Sequence, residues 1–159
     1  MKKKFFIGLF IVVAVCFAAY TYIVFNSSLP VYKPQQNLQA PIEIPSKAII
    51  SFKEAEAIDK PMVIMFYVDW CGYCRKYMPI FGEFADKYKD KYSFVAVNCD
   101  NPDNTKLVEK FHIMGFPSLF VSDKKIEHNF SLNMASTSEK SIMKEELDNY
   151  LKVREKFFK

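Results

Sequence analysis

Between Val63 and Tyr88 the sequence predicts a strand, a tight turn bearing two cysteines, and a long helix, and that succession constrains the fold more than any other feature. Val63-Ile64-Met65-Phe66-Tyr67-Val68 is apolar and of strand length. It leads through Asp69 and Trp70 into Cys71-Gly72-Tyr73-Cys74, with Arg75 and Lys76 immediately behind. Tyr77, Ile80, Phe81, Phe84 and Tyr88 then recur at helical spacing and form a core-facing stripe. A strand, turn and helix start in that order leave Cys71 exposed at a helix N-terminus, where unpaired N–H groups and the positive end of the dipole favour thiolate over thiol. Cys74 falls one helical turn further on, placed to attack a mixed disulfide formed at Cys71. The expected chemistry is thiol–disulfide exchange.

Two other uses of C-x-x-C fit less well. A structural zinc site needs four ligands, and Cys16, Cys99, His112 and His128 supply no second pair at ligand spacing, so no metal is expected. A permanent structural disulfide closing so short a loop would remove little entropy from the unfolded chain.

At these residues the chain resembles the thioredoxin superfamily, over about residues 48–156. Trp70-Cys71-Gly72-Tyr73-Cys74 is similar to the family's W-C-G-x-C active site, and Pro79 matches the proline that kinks the active-site helix. Gly115-Phe116-Pro117-Ser118 resembles the segment whose proline is cis and lies against the dithiol. Asn98-Cys99-Asp100-Asn101-Pro102 resembles the strand end and turn after the third strand. The resemblance implies an α/β thioredoxin fold, a central mixed β-sheet flanked by helices, with no cofactor. It also implies roles: Cys71 as attacking thiolate, Cys74 as resolving thiol, and a redox-active Cys71–Cys74 disulfide. Trp70, Gly72, Tyr73, Phe116 and Pro117 become the expected substrate contacts.

Charge locates the rest of the chain. From residue 48 onward 17 basic and 17 acidic residues balance, so the net +4 lies wholly within residues 1–47. That argues for membrane topology and against a nucleic-acid surface on the folded domain. Phe5–Phe25 carries no charge and is long enough, at about 1.5 Å per residue, to span a hydrocarbon core of roughly 30 Å. Lys2, Lys3 and Lys4 before it keep the N-terminus cytoplasmic and export the remainder. The expected organisation is a basic tail at 1–4, a transmembrane signal-anchor at 5–25, a Pro-rich linker at 26–47 and a thioredoxin-like domain at 48–159. The domain then faces the extracytoplasmic, periplasmic side. A cleaved signal peptide is the alternative, although its apolar region is normally shorter, and Cys16-Phe17-Ala18 matches a cleavage site poorly. A lipoprotein reading of Cys16 meets Val15 where a small residue is wanted. Within the linker, Pro41-Ile42-Glu43-Ile44-Pro45 could instead pack as an edge strand.

The domain reads as a short strand at 48–50, a helix from Ser51 to about Asp59 opened by a capping box, and strand Met62–Val68. The active-site helix follows from Tyr73 to Lys89, then strand Ser93–Asn98 and a helix from Asn104 to Lys110. A hairpin (Ser118–Ser122, Ile126–Ser131) and a last helix from Ser138 to Lys156 complete it. Cys99 reads as a buried bystander at a strand end, and His112 and His128 as surface residues.

One departure from the family pattern concerns protons. Many thioredoxins carry a buried acid six residues before the first cysteine and a lysine on the neighbouring strand; here those positions hold Met65 and Ala96. Losing both partners of a buried pair is nearly neutral for stability, but deprotonation of the second cysteine must then use water, Asp69 or the substrate. The expected function is a membrane-tethered extracytoplasmic thiol–disulfide oxidoreductase that reduces protein disulfides. Its partners would be exported protein disulfides or dithiols and a redox donor or acceptor protein. The alternatives are a disulfide oxidase or isomerase, with which Gly72-Tyr73 is compatible, or a non-catalytic client-binding module.

Overall fold

The computed structural model describes residues 15–22, 40–126, 128–133 and 139–158. The chain divides into two units, Met1–Gln36 and Asn37–Lys159. In the first, residues 15–22 form an exposed helix; the tail at 1–4, the remainder of the segment at 5–25 and the linker as far as residue 39 lie outside the described residues. Among the described residues no helix is long and apolar enough to cross a membrane.

The second unit alternates strands and helices: β1 (Ile49–Ile50), α1 (Phe52–Ala57), β2 (Met62–Tyr67), α2 (Gly72–Tyr88), β3 (Ser93–Asn98), a 3-10 turn (Pro102–Asn104), α3 (Thr105–Lys110), β4 (Ser118–Asp123), β5 (His128–Ser131) and α4 (Lys140–Phe157). The sheet order is β1-β3-β2-β4-β5. β3 is parallel to both β1 and β2, β4 runs antiparallel to β2, and β5 antiparallel to β4. This is the mixed sheet of the thioredoxin fold.

β2 is central because both its faces are apolar. Side chains alternate across a strand, so Val63, Met65 and Tyr67 enter one core with Phe81 and Phe84 of α2 and Met143 and Leu147 of α4. Met62, Ile64 and Phe66 enter a second core with Ala55 of α1 and Phe111 after α3. Each such side chain stabilises the fold by about 1.5–3 kcal/mol when fully buried. Aromatic contacts stitch the layers: Phe81 meets Phe94 at 5.3 Å and Phe66 meets Phe111 at 5.0 Å between ring centres. The Tyr92 hydroxyl donates to Leu147 O at 2.7 Å, tying the residue before β3 to α4.

Local signals place most boundaries. Ser51 caps α1 through the expected reciprocal bonds with Glu54, although the helix stops at Ala57 rather than Asp59. Pro79 lies inside α2, which continues to Tyr88. The helix expected from Asn104 is entered differently. Pro102 at a first helical position lets a 3-10 turn begin earlier, and the Asn101 side chain accepts from Asp103 N. Asn104 makes no cap bond; its Nδ2 donates instead to Asn98 O at 2.8 Å. α4 begins at Lys140, two residues later than expected, and β5 at His128.

The expected boundary at residue 47 needs correction. Residues 40–46 have no regular secondary structure, so they are not an edge strand, yet they pack on the domain. Ile42 is buried in the α2-side core, and Ser46 Oγ donates to Asp86 Oδ1 of α2 at 2.6 Å. Apolar Ile42 is thereby removed from water, which a solvated linker would not require.

Candidate active site

The dithiol sits where β2 ends and α2 begins. Beyond Tyr67 the ladder continues one step, with Cys99 N donating to Tyr67 O at 2.8 Å, so the ends of β2 and β3 are held together. The chain then turns: Cys71 N donates to Val68 O at 3.2 Å, and Cys71 takes the N-cap position of α2 with extended backbone. From there the Cys71 carbonyl accepts the first helical bond, from Arg75 N at 3.1 Å, and Cys71 Sγ accepts from Cys74 N at 3.1 Å. A sulfur that accepts an N–H at a helix start is stabilised as thiolate once reduced. Cys71 and Cys74 form a disulfide. Cys71, expected to be exposed, is instead buried, with only 7% of its surface open, and Cys74 is wholly enclosed in the core with Met65 and Met78.

The residues expected around the dithiol fall into two groups. Gly72 and Tyr73 lie on the first turn of α2, both exposed, and nothing stands within 4 Å of the space a Gly72 side chain would fill. Trp70, 54% exposed, meets Phe116 edge to face at 6.1 Å. The Phe116–Pro117 peptide bond is cis, as the resemblance implied, and Pro117 is buried. Trp70 and Phe116 are thus brought together from the turn after β2 and the loop before β4.

Four contributors were not among the expected substrate contacts. Asp100 accepts from Trp70 Nε1 at 3.3 Å and from Asp69 N at 3.1 Å, fixing the indole. Asn98 Nδ2 donates to Asp69 Oδ2 at 2.9 Å, while Asn98 Oδ1 accepts from Asp100 N at 2.9 Å. Met114, 97% exposed, adds to the apolar surface two residues before Phe116. Arg75 spans from Asp69 O, at 2.5 Å, to Ala40 O. Asp100 stood within the Asn98–Pro102 segment matched from sequence, so its place was readable although its bonds were not.

Met65 is fully buried and pairs in register with Ala96 of β3 and Leu119 of β4. The two positions left apolar therefore do face one another across the sheet, beside the enclosed Cys74. Cys99 is half-buried just beyond β3, its thiol pointing to Val97 O at 3.7 Å, and burial pushes that thiol up to about 11. Cys16 is on the exposed helix 15–22. Among the described residues no group of three or more His, Cys, Asp or Glu side chains is arranged to hold a metal.

Known proteins agree with this architecture. Residues 47–149 match the family model described as thioredoxin. The chain is 34% identical over 76 residues to the thioredoxin-like protein HCF164, chloroplastic, of Arabidopsis thaliana, covering 48% of this chain and 29% of that one. It is 38% identical over 72 residues to a thioredoxin of Alicyclobacillus acidocaldarius, covering 45% and 66%. Protein disulfide-isomerase 1 of Dictyostelium discoideum is 37% identical over 68 residues, covering 41% and 19%. Apart from the bacterial thioredoxin, the chain thus spans under a third of the length of these curated relatives. Among solved structures, the Drosophila melanogaster thioredoxin Deadhead superposes with a TM-score of 0.50 at 25% identity, covering 60% of this chain and 89% of that one.

Proposed function

Because the chain belongs to the thioredoxin family, we propose that it is a thiol–disulfide oxidoreductase that reduces client disulfides through Cys71 and Cys74. The observation that carries this reading is the asymmetry of the two sulfurs. Cys71 caps α2 and keeps 7% of its surface open, whereas Cys74, one turn behind it, keeps none. In the reaction the Cys71 thiolate attacks one sulfur of the client disulfide, forming a mixed disulfide and expelling the other client sulfur as thiolate. Cys74, deprotonated, then attacks Cys71 Sγ and releases the second client thiolate. Two electrons pass to the client, and the Cys71–Cys74 disulfide is left for a dithiol partner protein to reduce.

The surrounding residues have matching parts. Trp70, Phe116, Tyr73 and Pro117 form the apolar rim that shields the mixed disulfide from water, and the open space over Gly72 admits an extended client chain. Asp69 is engaged at both carboxylate oxygens by Ile42 N and Asn98 Nδ2. With Met65 and Ala96 apolar, the departing client thiolate or a water is the proton acceptor for Cys74.

The charge-free stretch Phe5–Phe25 behind three lysines supports a single-pass anchor that tethers the domain on the extracytoplasmic side, where its clients are exported proteins. The similarity to protein disulfide-isomerases favours a second reading, oxidation or isomerisation of the same clients. Insulin reduction by the full protein is the primary test, with Cys71→Ser expected to abolish turnover and Cys74→Ser to trap mixed disulfide. Inactivity of the unmutated protein with every reductant would refute the reading. A reporter fused after Lys159 tests topology, and cytosolic signal from it would refute the tether.

A further inference from the structure

Residues 40–46 run alongside α2 from its first turn to its last, touching it at three places and the turn before it at a fourth. Ala40 O accepts from Arg75, and Ile42 N donates to Asp69 Oδ1 at 2.7 Å. Pro45 packs on Gly82, where an added Cβ would lie 2.6 Å from Pro45 Cγ. Ser46 bonds Asp86 as described above. An extended chain advances about 3.3 Å per residue and a helix about 1.5 Å, so these seven residues and the stretch from Arg75 to Asp86 have nearly the same length. The Ile42 side chain, 8% exposed, anchors the middle in the core that holds Cys71 and Cys74.

We propose that this strap is a positioning element of the active site: by holding Asp69 and Arg75 it sets how readily Cys71 ionises. The inference rests on the exchange chemistry proposed above. The Ile42 N–H compensates the Asp69 carboxylate two residues from Cys71, and Ala40 O together with Asp69 O fixes the Arg75 guanidinium in the first turn of α2. Lifting the strap leaves the carboxylate short of one donor and the guanidinium short of one acceptor. A less compensated carboxylate two residues from Cys71 disfavours negative charge on its sulfur. The other charged or titratable groups around Cys71 are Cys74 (once reduced), Lys76 and Tyr73 on its own helix, Asp100 and Cys99 at the end of β3, and Glu43 on the strap; residues 113–117 carry none.

Gly82→Ala tests this from about 16 Å along α2, eleven residues from Cys71 at 1.5 Å each. Alanine is the better helix former, so α2 is kept while its methyl displaces Pro45. Ile42→Ala releases the same strap without altering α2. In the reduced full-length protein, the pH midpoint of Cys71 alkylation, read by peptide mass spectrometry, is expected to rise by about half a unit in both variants. That corresponds to about a threefold loss of thiolate below the midpoint. The chemical denaturation midpoint of Gly82→Ala should stay near that of the parent. Adding Asp69→Asn should remove most of the Gly82→Ala shift, because the carboxylate that transmits it is gone. A folded variant of either kind whose midpoint equals the parent's overturns the proposal. Failure of both to fold would also overturn it, since the strap would then be a core element only. A parent midpoint typical of an ordinary thiol would instead refute the exchange chemistry itself.

Discussion

Replacing Met65 by aspartate puts the missing acid back and measures what its absence does. Met65 is fully enclosed, with Ala96 and Leu119 as its strand neighbours, so the new carboxyl has no cation beside it on either strand. Truncating the buried methionine costs about 2–3 kcal/mol and an unsatisfied neutral carboxyl about 1–2, or about 3–5 in all. Against a domain stability of about 5–15 kcal/mol the fold should survive. Burial disfavours the ionised form and raises a carboxyl by up to about 3–5 units, so the group would titrate between about pH 7 and 9. Because Met65 and Cys74 share one core, the rate of insulin reduction should gain a new limb in that range. Met65→Asp with Ala96→Lys supplies the cation, moves the limb to lower pH and recovers part of the stability. Paired measurements of denaturation and of rate against pH decide the matter. A folded Met65→Asp protein with the parent's pH–rate profile would show that proton handling at Cys74 does not depend on this position.

Three further outcomes follow from buried titratable groups. Burial works against the Asp123 charge, but Lys125 N and the side chains of Arg154 and Tyr150 outweigh it and hold the carboxyl below the usual range. A depressed value contributes stability above about pH 3.9 that is lost as pH falls through the folded-state value. Asp123→Asn should therefore cost about 2 kcal/mol at neutral pH and flatten the acid limb of the denaturation midpoint. Tyr77, Tyr92 and Tyr150 are pushed up by burial, and Tyr88 is pushed up to about 12 by burial and by its bond to Asp148. Raised values stabilise the fold fully below about pH 10 and less as pH climbs beyond it, so unfolding should set in above pH 10, with Tyr88→Phe blunting it. Cys99, pushed up to about 11, is thiolate in only about one molecule in ten thousand at pH 7. It should alkylate far more slowly than Cys71, and Cys99→Ser should leave insulin reduction unchanged.

Much of this was written in the sequence because the signals were local. The uninterrupted apolar run from Val63 to Val68 could only be a strand covered on both sides, and its residues divide between two cores as alternation requires. Ser51 and Glu54 announced α1. An offset from Cys71 placed Met65, and one from Asp100 placed Ala96, on neighbouring strands before their register was known. What stayed hidden depended on distant partners. Ile42 lies 27 residues from Asp69, and nothing in Pro41–Pro45 has the length or period to announce that it packs along a helix. Asn104 looked like a cap because its type is right, but the Asn98 carbonyl competes for its side chain and wins. The Asp123–Arg154 pair joins residues 31 apart in sequence and had no local marker.

The sheet's outermost strands have a consequence for the extended clients proposed above. One margin is β1, two residues long, and the other is β5, four residues long. Neither presents the long row of open amides and carbonyls on which a loose polypeptide zips up into an added strand and from which fibrils grow. A partly unfolded client can therefore engage the sulfur-bearing end of the molecule through side chains and a few peptide groups, and let go again, without being annealed to the scaffold's rim.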